Sequence, residues 1–197
     1  MGSCFSSSEG VALSVTVEEV NAPLEIVWEV ITDVPSQPNF FEHVHEIELL
    51  SKIKRKGGLI KHLDAADFEF KEGASWQQTA SFNGKTYVSI VSVTAVQEVR
   101  GNNDDDDDER IISKTSQINS QFLNQVHPNT THTATCTVQR LSDTTCQLIG
   151  SMAILPNGCR GNLDVWLIGP AFQKLMRAYF QQQIQEFAVE AERRARG

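Results

Sequence analysis

The sequence has no apolar segment long enough to cross a membrane. A spanning helix needs about 20 consecutive apolar residues, and every hydrophobic run here is interrupted well before that length. Residues Met1 to Ser6 also lack the basic and apolar regions of a secretory signal. The 197 residues, 40% hydrophobic and 21% charged, are typical of one globular domain. We therefore expect a soluble cytoplasmic protein.

Cysteine is scarce, and its spacing excludes the usual cysteine sites. Cys4, Cys136, Cys146 and Cys159 form no C-x-x-C pair, and a reducing compartment would keep them as thiols. The five histidines show no H-x-x-x-H pattern. We expect no disulfide, no bound metal and no cofactor.

Basic residues are also few and dispersed. The 17 lysines and arginines form no cluster larger than the one within Lys52–Lys56, which makes a nucleic acid an improbable partner. The net charge of −8 comes mostly from six acidic residues, Asp104 to Glu109. That run lacks the spaced ligands and the glycine of a calcium loop, so we interpret it as a solvated loop at the tip of a hairpin.

The domain is predicted to begin with a strand near residue 11. Apolar and polar residues alternate from there to Glu18, a period of two that places the apolar side chains on one face. Asn21 and Pro23 are typical of a helix start. Helical spacing then follows in Leu24, Val27, Trp28 and Ile31, which predicts a short helix ending near Asp33.

The segment after this helix carries weaker signals. Pro35 and Pro38 are expected to break the helix. One more helical turn is predicted at residues 39–44, before an extended segment from Glu46 to Leu50. Residues 51–71 show little periodicity and are interpreted as a weak strand and an irregular loop.

Asn83-Gly84 lies between two strand-like runs and favours a two-residue type I′ hairpin turn. The turn fixes the register, because each residue before it then faces one after it. The expected pairs are Phe82 with Lys85, Ala80 with Tyr87, Gln78 with Ser89, and Trp76 with Val91. These side chains share one aromatic face, which we assign to the concave side of the sheet, and the opposite face is rich in Ser and Thr.

Three more strands and a long helix are predicted in the second half. Strands are expected at Arg110–Ile118, Thr133–Arg140 and Cys146–Leu155. The C-terminal segment has one apolar stripe at helical spacing, formed by Ile168, Phe172, Leu175, Met176, Tyr179, Phe180, Ile184, Phe187, Ala188 and Ala191. It predicts a helix of roughly 25 residues with a buried face.

This order of elements resembles the START-like, or SRPBCC, superfamily. The residues that carry the resemblance run from Val15 to Asp33: a strand, the small-Pro pair Ala22-Pro23, and a helix with an aromatic residue that ends in Asp. The resemblance covers residues 11–192 and extends to lipid-transfer, coenzyme Q-binding and polyketide cyclase or dehydrase relatives. It implies an α+β helix-grip fold, with about six or seven curved antiparallel strands around the C-terminal helix. Residues 11–197 would form the domain, after a leader of residues 1–10.

Such a sheet can leave an apolar space against the helix, and the predicted function is binding of a lipid or another hydrophobic small molecule there. The inward-facing candidates for ligand contact are Trp76, Tyr87, Phe172, Met176 and Phe180. Each of them could equally serve as core packing. A co-chaperone-like interaction domain without a guest is a further alternative.

A cyclase or dehydratase would need a desolvated acid or base in the same space. The suggestive polar groups are Tyr87, Lys114, His132 and His43, and no pair of them has a diagnostic spacing. We therefore assign no catalytic residue and favour a protein that is not an enzyme.

The leader matches the M-G-x-x-x-[ST] pattern for N-myristoylation at Gly2, and Cys4 is placed for palmitoylation. One myristoyl chain binds membranes only marginally, and stable attachment needs a second signal. Because the first lysine is Lys52, Cys4 is the second signal available. The alternative is a chance match in a Ser-rich leader, and the prediction is a tether to the cytoplasmic face of a membrane.

Overall fold

The computed structural model describes residues 11–51, 61–82, 84–103, 106–123, 130–156 and 158–197. In this part of the chain an antiparallel sheet of eight strands is accompanied by two α-helices and two short 3₁₀ helices. The strands are β1 Val11–Val20, β2 Val44–Ser51, β3 Lys61–His62, β4 Ser75–Phe82, β5 Lys85–Asn103, β6 Asp106–Phe122, β7 Thr130–Arg140 and β8 Cys146–Pro156. The helices are α1 Leu24–Thr32 and α2 Gly158–Arg196, with 3₁₀ helices at Val34–Asn39 and Ala65–Asp67.

The strand order is β1-β8-β7-β6-β5-β4-β2-β3, so hairpin neighbours pair along most of the sheet and β1 joins it beside β8. The register shifts within β1, β2 and β5. Such bulges bend a strand and increase its twist, which favours a curved sheet. This confirms the predicted α+β architecture, with the C-terminal helix packed against the inner side.

The β4–β5 hairpin has the predicted register at every pair. Phe82 is opposite Lys85, Ala80 is opposite Tyr87, and Trp76 is opposite Val91. Gly84 has a φ of +70°, the left-handed conformation that such a turn requires and that glycine adopts at little cost. Asn83 lies outside the described residues.

The first helix starts differently from the prediction. Pro23 is the residue that flanks α1, and no side chain caps the helix. Asn21, which was expected to cap it, instead donates hydrogen bonds from its backbone and its side chain to Glu192 Oε1 of α2, at 3.0 and 3.2 Å. The start of α1 is therefore held by the end of α2.

The helical turn predicted at residues 39–44 was wrong. The turn forms at Val34–Asn39 and contains both prolines that were expected to break the helix. Pro35 lies in the first turn, where an amide group would have no intrahelical acceptor, whereas Pro38 lies inside the 3₁₀ helix. The backbone amides of Phe40 and Phe41 then donate to Gln37 O at 3.2 and 2.9 Å, and β2 begins at Val44.

Two elements are longer than predicted. Asp106 to Glu109, expected in a loop, belong to β6, where Asn102 pairs with Glu109 and Asn103 with Asp106; residues 104 and 105 lie outside the described part. Helix α2 has 39 residues instead of roughly 25. The predicted apolar stripe begins at Ile168, ten residues after the helix starts, so the sequence pattern missed the beginning of α2.

Candidate ligand-binding site

The inner face of the sheet is defined by the residues that share a side with the core. Directly opposite residues of an antiparallel pair lie on the same face, and the ladders extend this face from β4 to β8. Its apolar positions near the centre are Val91, Val93, Ile118, Ala134 and Met152. Its polar positions are Gln78, Tyr87, Ser89, Ser116, Ser120 and His132.

Helix α2 covers only one side of this inner face. In the described part of the chain it packs closely on β1 and β8 and touches β7, whereas its backbone makes little or no close approach to β4, β5 or β6. Gly150 of β8 leaves room for Ile184 and Phe180 of α2, whose nearest atoms would lie within 3 Å of a Cβ atom added there. Phe82 of β4 nevertheless contacts Tyr179 and packs against the cluster of Met176 on α2, and Val91 and Val93 of β5 pack with Trp76.

The predicted ligand contacts fall into three separate apolar clusters. Phe180 belongs to the cluster formed by α1, α2, β1 and β8. Met176 packs with Leu13 and Ile154, and Trp76 is buried under Phe68 and Phe70 from the segment before β4. Each of these three residues therefore packs in a different cluster, and their role in ligand contact stays a prediction.

The remaining candidates are less enclosed. Tyr87 is half-buried on the inner face, opposite Ala80. Phe172 lies in α2, but its side chain is outside the described residues, so its predicted role stays a prediction.

Cys136 and Tyr179 combine depth with accessible surface. Desolvation raises the pKa of the Cys136 thiol to about 12, yet the side chain keeps an intermediate exposure in the middle of a central strand. Tyr179 of α2 shows the same combination, because desolvation and the nearby Glu186 raise the pKa of its phenol while the residue remains half-buried. Both side chains are therefore deeply placed and keep some accessible surface, Cys136 on the inner face of the sheet and Tyr179 on α2.

A buried polar pair lies beside Tyr179. The exposed fraction of the His43 side chain is 9%, and its Nδ1 lies 3.8 Å from Glu186 Oε2. Neither ring nitrogen of His43 nor this carboxylate oxygen has a hydrogen bond. Burial lowers the pKa of His43 and raises that of Glu186. The imidazole is therefore held neutral between the rings of Phe41 and Tyr179.

Sequence reasoning identified His43 only as a suggestive polar group and missed Glu186. The available signal was the spacing of seven residues between Tyr179 and Glu186, which puts both on one side of α2. The loop before β2 then covers that side: Phe40 and Phe41 contact Phe187. This long-range docking buries a glutamate that the helical pattern assigned to the polar face.

Two of the other suggested acid or base groups, Lys114 and His132, lie on strands β6 and β7. Lys114 Nζ lies 3.3 Å from Glu98 Oε2 and 5.7 Å from the centre of the Trp28 ring. His132 is opposite Ser120 and Ile154 on the inner face. Among the described residues, His43 and Glu186 therefore form a largely buried acid-base pair.

Within the described ranges, no three acidic, histidine or cysteine residues are grouped so as to hold a metal ion, and Cys136 and Cys146 are free thiols. In the same ranges no helix has the length and apolar character needed to span a bilayer. Gly2 and Cys4 lie outside these ranges, and so their proposed modification stays a prediction.

Solved structures share this architecture at low sequence identity. The Zhui aromatase/cyclase from Streptomyces sp. R1128 has a TM-score of 0.57 and 14% identity, with 94% of this chain and 96% of that chain covered. Ara h 8.0201 has a TM-score of 0.60 and 10% identity, with coverages of 93% and 98%. A START superfamily protein from Mycobacterium smegmatis has a TM-score of 0.56 and 15% identity, with coverages of 92% and 97%.

No protein-family model and no curated protein sequence matches the chain. The structural likeness nevertheless extends over nearly the whole length of each chain. The protein has the START-like, helix-grip fold that the segment from Val15 to Asp33 predicted.

Proposed function

We propose that the protein binds a hydrophobic or amphipathic small molecule, such as a lipid, between α2 and the inner face of β5 to β7. The observation that carries this proposal is the accessible surface retained by Cys136 and Tyr179 at deep positions on opposite sides of that space. Spaces enclosed by apolar and aromatic side chains with a few polar groups are typical of small-molecule sites.

The fold supports this proposal in a general way. The solved structures of the same fold include an aromatase/cyclase and a START superfamily protein. Binding is favoured over catalysis for this chain because the ring nitrogens of His43 are buried and therefore out of reach of a guest. A protein-interaction role without a guest would instead leave the space closed.

The test is the binding of 1-aminoanthracene, a neutral dye whose fluorescence rises in apolar surroundings. We expect saturable binding of one dye per chain. Ala134→Phe should fill the space next to Cys136 and weaken binding more than tenfold, an effect of about 1.4 kcal/mol or more. Thr135→Phe, one residue along on the outer face, is the matched control and should bind as the unmodified protein does. Absence of saturable binding, or equal binding by Ala134→Phe, would contradict the proposed function.

A second part of the proposal concerns the leader. With Met1 removed, Gly2 would carry a myristoyl group and Cys4 a palmitoyl group, which together would hold the protein at the cytoplasmic face of a membrane. In a eukaryotic host, Gly2→Ala should move the protein from the membrane fraction to the supernatant. Cys4→Ser should weaken attachment, and Ser7→Ala should have no effect. An unchanged membrane fraction for Gly2→Ala would contradict the tether and leave the ligand site unaffected.

A further inference from the structure

The segment Phe40–His43, which we call the strap, connects the first 3₁₀ helix to β2 and packs on α2. Its first two rings lie 6.1 and 4.8 Å from the ring of Phe187, measured between centroids. The His43 ring lies 4.4 Å from that of Tyr179, measured in the same way. The strap is therefore held on α2 by ring contacts at both of its ends.

His43 also places a polar side chain against one that α2 provides. Its Nδ1 lies 3.8 Å from Glu186 Oε2, and the exposed fractions of the two side chains are 9% and 18%. Gln182 Nε2 donates to the other oxygen of this carboxylate, Oε1, at 2.8 Å. Among the described residues, neither ring nitrogen of His43 nor Glu186 Oε2 has a hydrogen-bond partner. Buried polar atoms are nearly always paired, and Nδ1 and Oε2 would pair with each other after an approach of roughly 1 Å or less.

The charge buried under the strap depends on how many protons this pair holds. With one proton, His43 is an imidazolium beside the Glu186 carboxylate, and each charge compensates the other. With a second proton the carboxyl group is neutral, and the imidazolium remains buried without a counter-charge. Loss of one partner of a buried ion pair is strongly destabilising for this reason. The second proton therefore opposes closure of the strap, whereas the first does not.

The groups around the pair have effects of both signs. Burial has the largest effect, and it lowers the pKa of His43 and raises that of Glu186. Of the charged neighbours, Glu42 of the strap raises the pKa of His43 and His45 of β2 lowers it. Tyr179 of α2 stays neutral, because burial raises the pKa of its phenol. The buried carboxylate next to the imidazole is that of Glu186, since Glu42 is exposed.

We propose that the strap is an acid-sensitive latch, which stays closed on α2 while Glu186 is ionised and opens when His43 and Glu186 are both protonated. Opening uncovers Phe187 and the rings of the strap itself, so acid exposes an apolar surface on α2. This inference goes beyond guest binding and is independent of it, because it depends on the contacts between the strap and α2 alone.

Backbone amide hydrogen exchange, followed by NMR across a pH series, measures the latch directly. The amide of Phe41 donates to Gln37 O at 2.9 Å. The amide of Ser81 donates to His43 O at 2.8 Å. Both amides should lose protection from exchange when the strap opens. The amide of Val93, which has its hydrogen bond of 2.9 Å away from the strap, is the internal control.

Two variants separate the effects of the two protons. In Glu186→Gln the imidazolium has no counter-charge, and the lowered pKa of His43 means that closure is favoured above pH 6.5 and lost as the pH falls below it. The strap amides should therefore lose half of their protection about one pH unit higher than in the unmodified protein. In His43→Gln no imidazolium forms, so these amides should stay protected in acid. Glu46→Gln changes an exposed carboxylate of β2, and this matched control should open at the same pH as the unmodified protein.

Opening of Glu186→Gln at the same pH as the unmodified protein would overturn the proposal, as would acid opening in His43→Gln. Retained protection of Val93 in the same samples shows that the fold is intact while the strap opens. Equal loss of protection at Val93 would also overturn the proposal, because the strap would then not open as a separate unit. Binding of 1-aminoanthracene at neutral pH is a separate measurement, and its outcome bears only on the proposed function.

Discussion

Ile184 and Phe180 of α2 pack directly on Gly150 of β8, which leaves no room for a side chain at that position. A Cβ atom added there would lie 2.5 Å from Ile184 Cδ1, 2.7 Å from Ile184 Cγ1 and 2.9 Å from Phe180 Cζ. Ile184 and Phe180 are 1% and 5% exposed, so they have no free space into which to move. Gly150→Ala therefore forces α2 away from β8 or both side chains off their preferred rotamers.

The expected cost combines two opposing effects. Overpacking a close-packed core costs about 1–3 kcal/mol, while replacing glycine with alanine recovers about 0.4–1 kcal/mol through the unfolded chain. We expect a net loss of about 1–2 kcal/mol in the free energy of unfolding. For a chain of this length that corresponds to a fall in Tm of about 2–8 °C.

A double-mutant cycle with Ile184→Val identifies the cause. Valine lacks the Cδ1 atom that lies nearest to the added methyl group, so Gly150→Ala should cost less in the Ile184→Val background by at least about 0.5 kcal/mol. Urea unfolding followed by circular dichroism measures all four proteins, and Ser151→Ala on the outer face is the control. A Gly150→Ala protein within about 0.5 kcal/mol of the unmodified one, with no coupling to Ile184→Val, would refute the reasoning.

Further predictions concern α2. Phe180→Asp buries an unpaired charge and should cost about 3 kcal/mol or more, whereas Gln181→Ala on the exposed side should cost under about 0.5 kcal/mol; equal urea midpoints for the two would contradict the buried stripe. Burial raises the pKa of Glu186 above 4.5, so the stability of the folded state decreases as the pH rises through this raised pKa. Glu186→Gln should therefore raise the free energy of unfolding at neutral pH. Hydrogen bonds, of which the one from Arg193 has the largest effect, lower the pKa of Glu190 from 4.5 to about 2. Glu190 therefore stabilises the fold above pH 4.5, and this stabilisation is lost as the pH falls toward 2. Glu190→Gln should lower the free energy of unfolding at neutral pH by about 1–2 kcal/mol. It should also make this free energy depend less on pH at acidic pH. Changes of the same sign in these two variants would contradict the assigned directions.

The elements that the sequence predicted correctly are those fixed by local chemistry. Asn83-Gly84 determines the β4–β5 register through the turn alone, and every pair from Phe82 with Lys85 to Trp76 with Val91 is confirmed. The apolar stripe of α2 is also local, because it depends only on helical periodicity. Met176, Phe180, Ile184, Ala188 and Ala191 of that stripe are buried.

The features that the sequence did not reveal depend on distant contacts. The 3₁₀ helix and the loop after it are fixed where Phe41 meets Phe187 of α2, far along the chain. Glu186 is buried by that same contact, although its position in the helical pattern assigned it to the polar face. The division of the ligand candidates among three clusters likewise depends on where α2 lies over the sheet, and no local pattern specifies that position.

The inner face of the sheet has different residues where α2 covers it and where α2 does not. Where α2 packs on the inner face, the sheet has Gly150, which carries no side chain. Where α2 does not cover it, the inner face carries the polar side chains of Ser89, Ser116 and Cys136. Ser116 is 4% exposed, and alanine is a residue that is often fully buried. Ser116→Ala should therefore keep or raise the free energy of unfolding measured in urea. A loss of stability in this variant would mean that the hydroxyl supports the fold.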